Sequence, residues 1–393
     1  MSHHYKFDYS VKKLWMTSMR HDLRVLTSAI SLVLIAGCAT TNAPPDTESP
    51  VIRRTPEKTE ELGAAQSLAL SRWAVPFARI AAHVYCKYKG DDDRACDKFP
   101  DLKKTGWAIL YHSQTELNET ERASGLEFMA FARLLEGEKA EQAARSEEGN
   151  QTLEGLQSSA AKQSQRGEIV IGFRGTDFTS AGDWRANLRW VTRFLPLPGN
   201  DQYEIVHQHA KQLINLAEDK ARQVFPSATG FDVYTTGHSL GGGLAQLLAY
   251  SDVRVAGAVV FDSSPVTGYS SIVLDSEVNC SRVMRMYERG EGLSYLRSFL
   301  RRFYGLSSNI NEASFDFIHT GGNPIANHSM AKFREGLEAR GNVNPDIPVA
   351  ITGLPGTPDC DCYRKRMPTV HRADVSQCAS VTPPAQPFKI DVR

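Results

Sequence analysis

Ser239 lies in the run Gly237-His-Ser-Leu-Gly241. A serine with glycines two residues before and two after it is the arrangement that exposes a hydroxyl at the apex of a tight strand-to-helix turn. The glycines are required because strand and helix backbones approach there too closely for a Cβ. A serine hydroxyl is a weak nucleophile, so attack on a carbonyl also needs a base, an acid that orients the base, and donors for the oxyanion. In one chain order used by such sites, acid and histidine both follow the serine. Glu288 and Glu291 come after a candidate strand, and His319, His328 and His371 come later. His328, in Asn327-His-Ser-Met330, opens a helix after the last candidate strand, where the base belongs. Asp262 ends the strand after the serine and reads as a turn residue, with a lesser claim to be the acid. Two clusters suggest metals instead. Cys360-Asp-Cys362 lies near His371 and Cys378, but its spacing matches no common zinc pattern. Asp91-Asp-Asp93 reads as a solvated charged turn in preference to a calcium loop. The expectation is chemistry without metal or cofactor.

Such a serine must be carried by a strand and followed by a helix. Phe231 to Thr236 is β-branched and aromatic, while Leu240, Leu244, Leu247 and Leu248 recur at helical spacing. Glu168 to Phe173 reads as a buried strand, and Tyr203 to Phe225 as the helix that crosses from it to the serine strand. Further strands are expected at Trp107 to Tyr111, Leu126 to Phe131, Val255 to Phe261, Arg282 to Tyr287 and Phe315 to His319. Helical spacing is read at Asp183 to Phe194, 269–280 and 293–304. It is also read along the stripe from Leu62 to Val84, where Pro76 is a candidate kink. Arg174 and Asp183 read as a structural ion pair or cap. Strands alternating with helices predict an α/β fold, with a mainly parallel central sheet flanked by helices.

At 393 residues and 41% hydrophobic content the chain is large enough for one sizeable core. Its formal net charge of zero suggests neither nucleic acid nor another polyanion as partner. Lys12, Lys13, Arg20 and Arg24 precede the apolar run Val25 to Ala36, which is too short to span a membrane and reads as a signal peptide. It ends in Ile35-Ala-Gly-Cys38, which resembles the bacterial lipobox and implies a diacylated Cys38 as the mature amino terminus. The expected organisation is a signal peptide at 1–37, a disordered tether at 38–58, a catalytic domain at 59–340 with a polar insertion at 136–166, and a disulfide-pinned tail at 341–393. Six further cysteines, Cys86, Cys96, Cys280, Cys360, Cys362 and Cys378, predict three disulfides in an oxidising compartment. Cys86 with Cys96 closes a short charged loop, and of Cys360 and Cys362 one is expected to join Cys378 and the other Cys280.

Three segments resemble the class 3 lipase family of α/β hydrolases. They are Ile171-Gly-Phe-Arg-Gly-Thr176, Asp183-Trp184 with Asn187, and Gly237-His-Ser-Leu-Gly-Gly242. The resemblance spans roughly residues 65 to 340 and implies an α/β-hydrolase fold. It implies Ser239 as nucleophile, His328 as base, and oxyanion donors from Thr176 and the Leu240 backbone. In the family the acid is followed two residues later by an apolar side chain; Glu291-Gly-Leu293 fits that and Glu288-Arg-Gly290 does not. Glu291 is therefore the expected acid, and Glu288 a surface charge near Arg289. The family usually has aspartate at this position, and Gly243 replaces its commoner alanine. Trp184, Trp190, Phe194, Leu195 and Leu197 stand where the family carries a mobile lid, with core packing as the competing reading. Leu296, Phe299, Leu300 and Phe303 beside Arg297, Arg301 and Arg302 read either as a solvated arginine face or as a surface for anionic lipid. The implied activity is hydrolysis of acylglycerol-type carboxylic esters through an acyl-enzyme. Phospholipids or small esters are competing substrates, and a non-catalytic lipid-binding envelope lipoprotein is the rival of another class. The lipid anchor implies membrane attachment in the cell envelope, with the outer membrane favoured because Ala39 and not an aspartate follows Cys38.

Overall fold

A computed structural model describes residues 44–86, 100–119, 124–135, 165–175, 202–265, 282–294, 297–298, 310–318 and 324–344. Its strands are β1 (Val51–Arg54), β2 (Thr59–Leu62), β3 (Ala108–His112), β4 (Phe128–Leu134), β5 (Gln165–Phe173), β6 (Ala228–His238), β7 (Val255–Phe261), β8 (Arg282–Glu288) and β9 (Ile310–Phe315). The longer helices are α1 (Ala64–His83), α2 (Gln202–Val224), α3 (Leu240–Ser251) and α4 (Met330–Arg340). All the strands join one sheet in the order β2-β1-β9-β8-β7-β6-β5-β4-β3.

Strands β5, β7 and β8 are rich in valine, isoleucine and methionine on both faces, as strands covered on both sides must be. Helix α2 crosses from β5 to β6 and α3 from β6 to β7. Successive right-handed crossovers advancing in one direction fall on the same side of a sheet. Accordingly both helices pack into one apolar layer with Ile169, Ile171, Val233 and Val260. The opposite face is closed by α1 and α4, which bury Trp73, Phe77, Ile80, Phe333 and Leu337 against Val170, Tyr234, Val259 and Phe315. Helix α1 runs unbroken through Pro76 and presses so closely on the sheet that a Cβ on Gly172 would meet Ile80 Cγ2 at 2.9 Å.

Several expectations are corrected. The sheet is mixed: β5 to β9 are mutually parallel, but β4 and β3 on one flank and β1 and β2 on the other pair antiparallel. Second, the strand read at Phe315 to His319 lies earlier, at Ile310–Phe315, and residues 51–54, assigned to a disordered tether, form β1 against β9. A four-residue strand is too short for periodicity to reveal. Its inward Val51 is nevertheless fully buried, and Arg340 Nη2 donates to Ser49 O at 2.6 Å. The end of the insertion is likewise sheet, since β5 begins at Gln165. The remaining residues of the insertion, the signal peptide with Cys38, the tail beyond 344, the helices read at Asp183 to Phe194 and 269–280, and every proposed disulfide partner of Cys86 lie outside the described residues. Among the described residues no helix is long and apolar enough to cross a membrane.

Candidate active site

The register of the parallel strands brings their carboxyl ends level, with Phe173 beside Gly237, His238 beside Phe261, and Phe261 beside Met286. Everything described below lies at that edge, where open α/β sheets present their binding crevices. Between β6 and α3 the chain reverses within one residue. Ser239 has φ 57° and ψ −126°, a conformation costly for a side-chain-bearing residue and held only where its surroundings over-determine it. Here they do: Ser239 N donates to Phe261 O at 3.1 Å, while Ser264 N and Gly242 N donate to Ser239 O at 2.8 and 3.1 Å. The flanking glycines are sterically obligatory. A Cβ on Gly237 would fall 2.4 Å from Gly241 O, and one on Gly241 would fall 2.2 Å from Phe173 O. Ser239 occupies the N-cap position of α3 without a capping hydrogen bond from its hydroxyl. The hydroxyl therefore sits at the positive end of a helix, where developing negative charge is stabilised.

The segment expected to supply an oxyanion donor approaches the same turn from β5. Gly175 is so close that a Cβ there would lie 2.4 Å from His238 O and 3.0 Å from Ser239 Cβ. Its neighbour Thr176 is outside the described residues. Leu240 opens α3, so its N–H is among the first-turn groups that have no partner within the helix.

His328 stands just before the N-cap of α4, between a single helical turn, Pro324–Asn327, and Ser329. Its Nδ1 is 2.7 Å from Glu291 Oε2, and both residues are buried. The same carboxylate oxygen accepts from Leu293 N at 2.7 Å, and Oε1 accepts from Arg297 Nη2. The His328 ring lies 4.6 Å, centroid to centroid, from the ring of His238, the residue before the serine. His238 Nδ1 in turn is 2.9 Å from the Tyr85 hydroxyl, which α1 delivers to the turn. The expected base and acid are thus together, and the base lies beside the elbow.

Both imidazoles are held neutral. Burial pushes His328 down to about 3, and the nearby Arg297 charge acts in the same direction. His238 lies well below the usual histidine range, first through burial and then through His328 and Arg297. The neutral form is the one able to accept a proton from a hydroxyl. His238, Asp262 and His328 each offer a metal-ligating atom within 4.8 Å of one another. The Nδ1 atoms of both histidines already make the contacts just given, to Tyr85 and Glu291.

The structure corrects the reading of Glu288 as a surface charge. It is 1% exposed and accepts from Phe317 N at 3.2 Å and Ile318 N at 3.0 Å, which ties down the segment after β9. Asp262 is fully buried with φ 41°, accepts from Glu288 N at 2.7 Å, and lies 4.0 Å from His238 Nε2. It is more than a turn residue, yet it is Glu291 that meets His328. Arg174 pairs with Glu127 and lies over the Tyr85 ring, while Asp183, its expected partner, is outside the described residues, as are the lid candidates. Arg297, read as part of an exposed arginine face, is 5% exposed and faces the site. No local pattern marks Arg297 or Tyr85 as part of the site, because their partners are set by tertiary packing.

Burial raises Glu288 to about 8, with Asp262 adding to it, and burial raises Asp262 to about 7. In the folded state Glu288 thus keeps a proton that the unfolded chain, at its ordinary 4.5, has released. Its stability contribution is complete below pH 4.5 and is lost as pH rises through 8. Thermal unfolding followed from pH 6.5 to 9 should show a falling midpoint, and Glu288→Gln should flatten that fall. Equal slopes for the two proteins would show that Glu288 does not carry the effect.

Among solved structures, lipase II from Rhizopus niveus is similar over 63% of this chain and 79% of that chain, with 15% identity and a TM-score of 0.31. None of the curated proteins matches the chain. Residues 170–269, from within β5 through the serine turn and past β7, match the family model described as lipase (class 3).

Proposed function

We propose that the chain is a serine hydrolase of carboxylic esters, with Ser239 as nucleophile, His328 as general base and acid, and Glu291 as the group that orients the imidazole. The observation that carries this reading is the buried His328–Glu291 hydrogen bond, with the His328 ring packed on His238 beside the strained turn at Ser239. With Nδ1 engaged by Glu291, His328 presents Nε2 to the reaction. Ser239 Oγ attacks the ester carbonyl and His328 Nε2 takes the hydroxyl proton. The tetrahedral oxyanion is met by the Leu240 N–H and by Thr176. As the C–O bond breaks, the imidazolium gives its proton to the departing alcohol and an acyl-enzyme is left. Water, deprotonated by the same imidazole, then releases the acid.

The match to the class 3 lipase model supports acylglycerols as the substrate class. Phospholipids and small soluble esters are the competing acyl donors. A non-catalytic lipid-binding protein would gain nothing from a backbone held at φ 57° beside a paired histidine. Attachment through diacylated Cys38 to the cell envelope, on the outer membrane, belongs to the same proposal and rests on the lipobox-like Ile35-Ala-Gly-Cys38.

A fluorophosphonate probe tests the chemistry. The expected result is a single adduct, formed with loss of fluoride, whose phosphonylated peptide contains Ser239, with acylglycerols turned over faster than phospholipids or short-chain esters. An unlabelled but folded protein would overturn the reading.

A further inference from the structure

Resting on that reading, the surroundings of Glu291 assign a role to Arg297. We propose that Arg297 is a positioning residue for the base and acid: its guanidinium clamps one carboxylate oxygen of Glu291 so that the other meets His328. Glu291 has a side chain one methylene longer than the aspartate common in this position, and it sits in a loop flanked by Gly290 and Gly292. A longer side chain on such a loop has more rotamers to lose, so an external clamp is needed to aim it. Arg297 supplies one from three sides. Nη2 donates to Glu291 Oε1, Nη1 donates to Ser263 O at 2.9 Å, and the guanidinium carbon lies 3.8 Å from the centre of the Tyr287 ring. Ser263 and Ser264 follow β7, and Ser264 N holds the Ser239 carbonyl. One arginine thus ties the acid's loop to the segment that braces the nucleophile. A planar fork can span two acceptors and stack at once; an ammonium cannot do all three.

The charge has a second consequence. Arg297 opposes protonation of His328, in the same sense as burial does. Among the described residues, the other titratable groups around the two rings are Glu291 from the loop after β8, His238 from the end of β6, Asp262 from the end of β7, Glu288 from the end of β8, and Tyr85 after α1. Arg297 is the fixed positive charge in this set.

The test compares Arg297→Met and Arg297→Lys with the wild type in kcat/KM against pH, each preparation normalised to the fraction of Ser239 that a fluorophosphonate labels. Arg297→Met should move the midpoint of the acid limb upward by about one pH unit, because loss of the charge lets His328 protonate more easily. Arg297→Lys should leave the midpoint in place and lower kcat about tenfold, because the charge stays while the bridge to Ser263 is lost. An unmoved midpoint in Arg297→Met, or wild-type kcat in Arg297→Lys, overturns the proposal. Should Arg297→Met not fold, Arg297→Lys decides alone. Loss of labelling at Ser239 in the wild type would instead remove the hydrolase reading on which the proposal rests.

Discussion

Ser239→Ala should abolish ester turnover, with kcat falling on the order of 10⁵-fold while the protein stays folded. Removing the nucleophile of a serine hydrolase removes the covalent route altogether, and the remaining rate comes only from oxyanion donors and substrate binding. The substitution takes away a hydroxyl that makes no capping bond to α3, so the helix loses no cap. It leaves a Cβ at φ 57°, so the strain of the turn is retained and not relieved. The bonds that hold the turn are also untouched, since all run through the backbone of Ser239, to Phe261, Gly242 and Ser264. Thermal unfolding midpoints of the two proteins should therefore agree within a few degrees while their activities differ by orders of magnitude. Residual turnover above a hundredth of wild type, in protein free of wild-type contamination, would show that Ser239 is not the nucleophile.

The parts of this site that were readable from the sequence are those fixed by local backbone constraint. Gly237 and Gly241 announce the elbow because no other residue fits within 2.4 Å of a facing backbone oxygen. The strand before them follows from a β-branched and aromatic run, and the helix after them from leucines at helical spacing. Register and long-range partners were not readable. Val51 and Leu62 belong to strands of four residues in a segment of prolines, threonines and charges, and nothing nearby shows that β9 waits to pair with β1. Arg297 looks like one cation among several until the backbone places it against Glu291, whose carboxylate cancels a charge that could not otherwise be buried. Glu288 misled for the opposite reason. A glutamate beside Arg289 suggests a solvated pair, but the residue ends a central strand, where its carboxyl is the acceptor for two backbone N–H groups that would otherwise be buried unsatisfied.

Glu291→Gln should lower kcat by about 10³- to 10⁴-fold, and Glu288→Gln by less than about tenfold at pH 7. The contrast comes from what an amide can and cannot replace. In one orientation the amide that replaces the Glu291 carboxylate would keep its oxygen toward Leu293 N and His328 Nδ1, so that its NH₂ faces the Arg297 guanidinium, donor against donor. Turned over, it would satisfy Arg297 and present its NH₂ to His328 Nδ1. The imidazole would then have to accept there and carry its proton on Nε2, the tautomer that cannot take a proton from Ser239. Either way the base is misplaced or in the wrong protonation state. Glu288 differs because burial and Asp262 raise it to about 8, so at pH 7 it is mostly a neutral acid, which an amide imitates in shape and charge. Glutamine keeps an oxygen for one of the two N–H groups of Phe317 and Ile318, and the loss falls on the segment after β9 more than on His328. Single-turnover rates of the two variants, at pH 7 and on one activated ester, decide between the carboxyls. A large loss in Glu288→Gln with wild-type acylation in Glu291→Gln would transfer the orienting role from Glu291 to Glu288 and take with it the role assigned to Arg297.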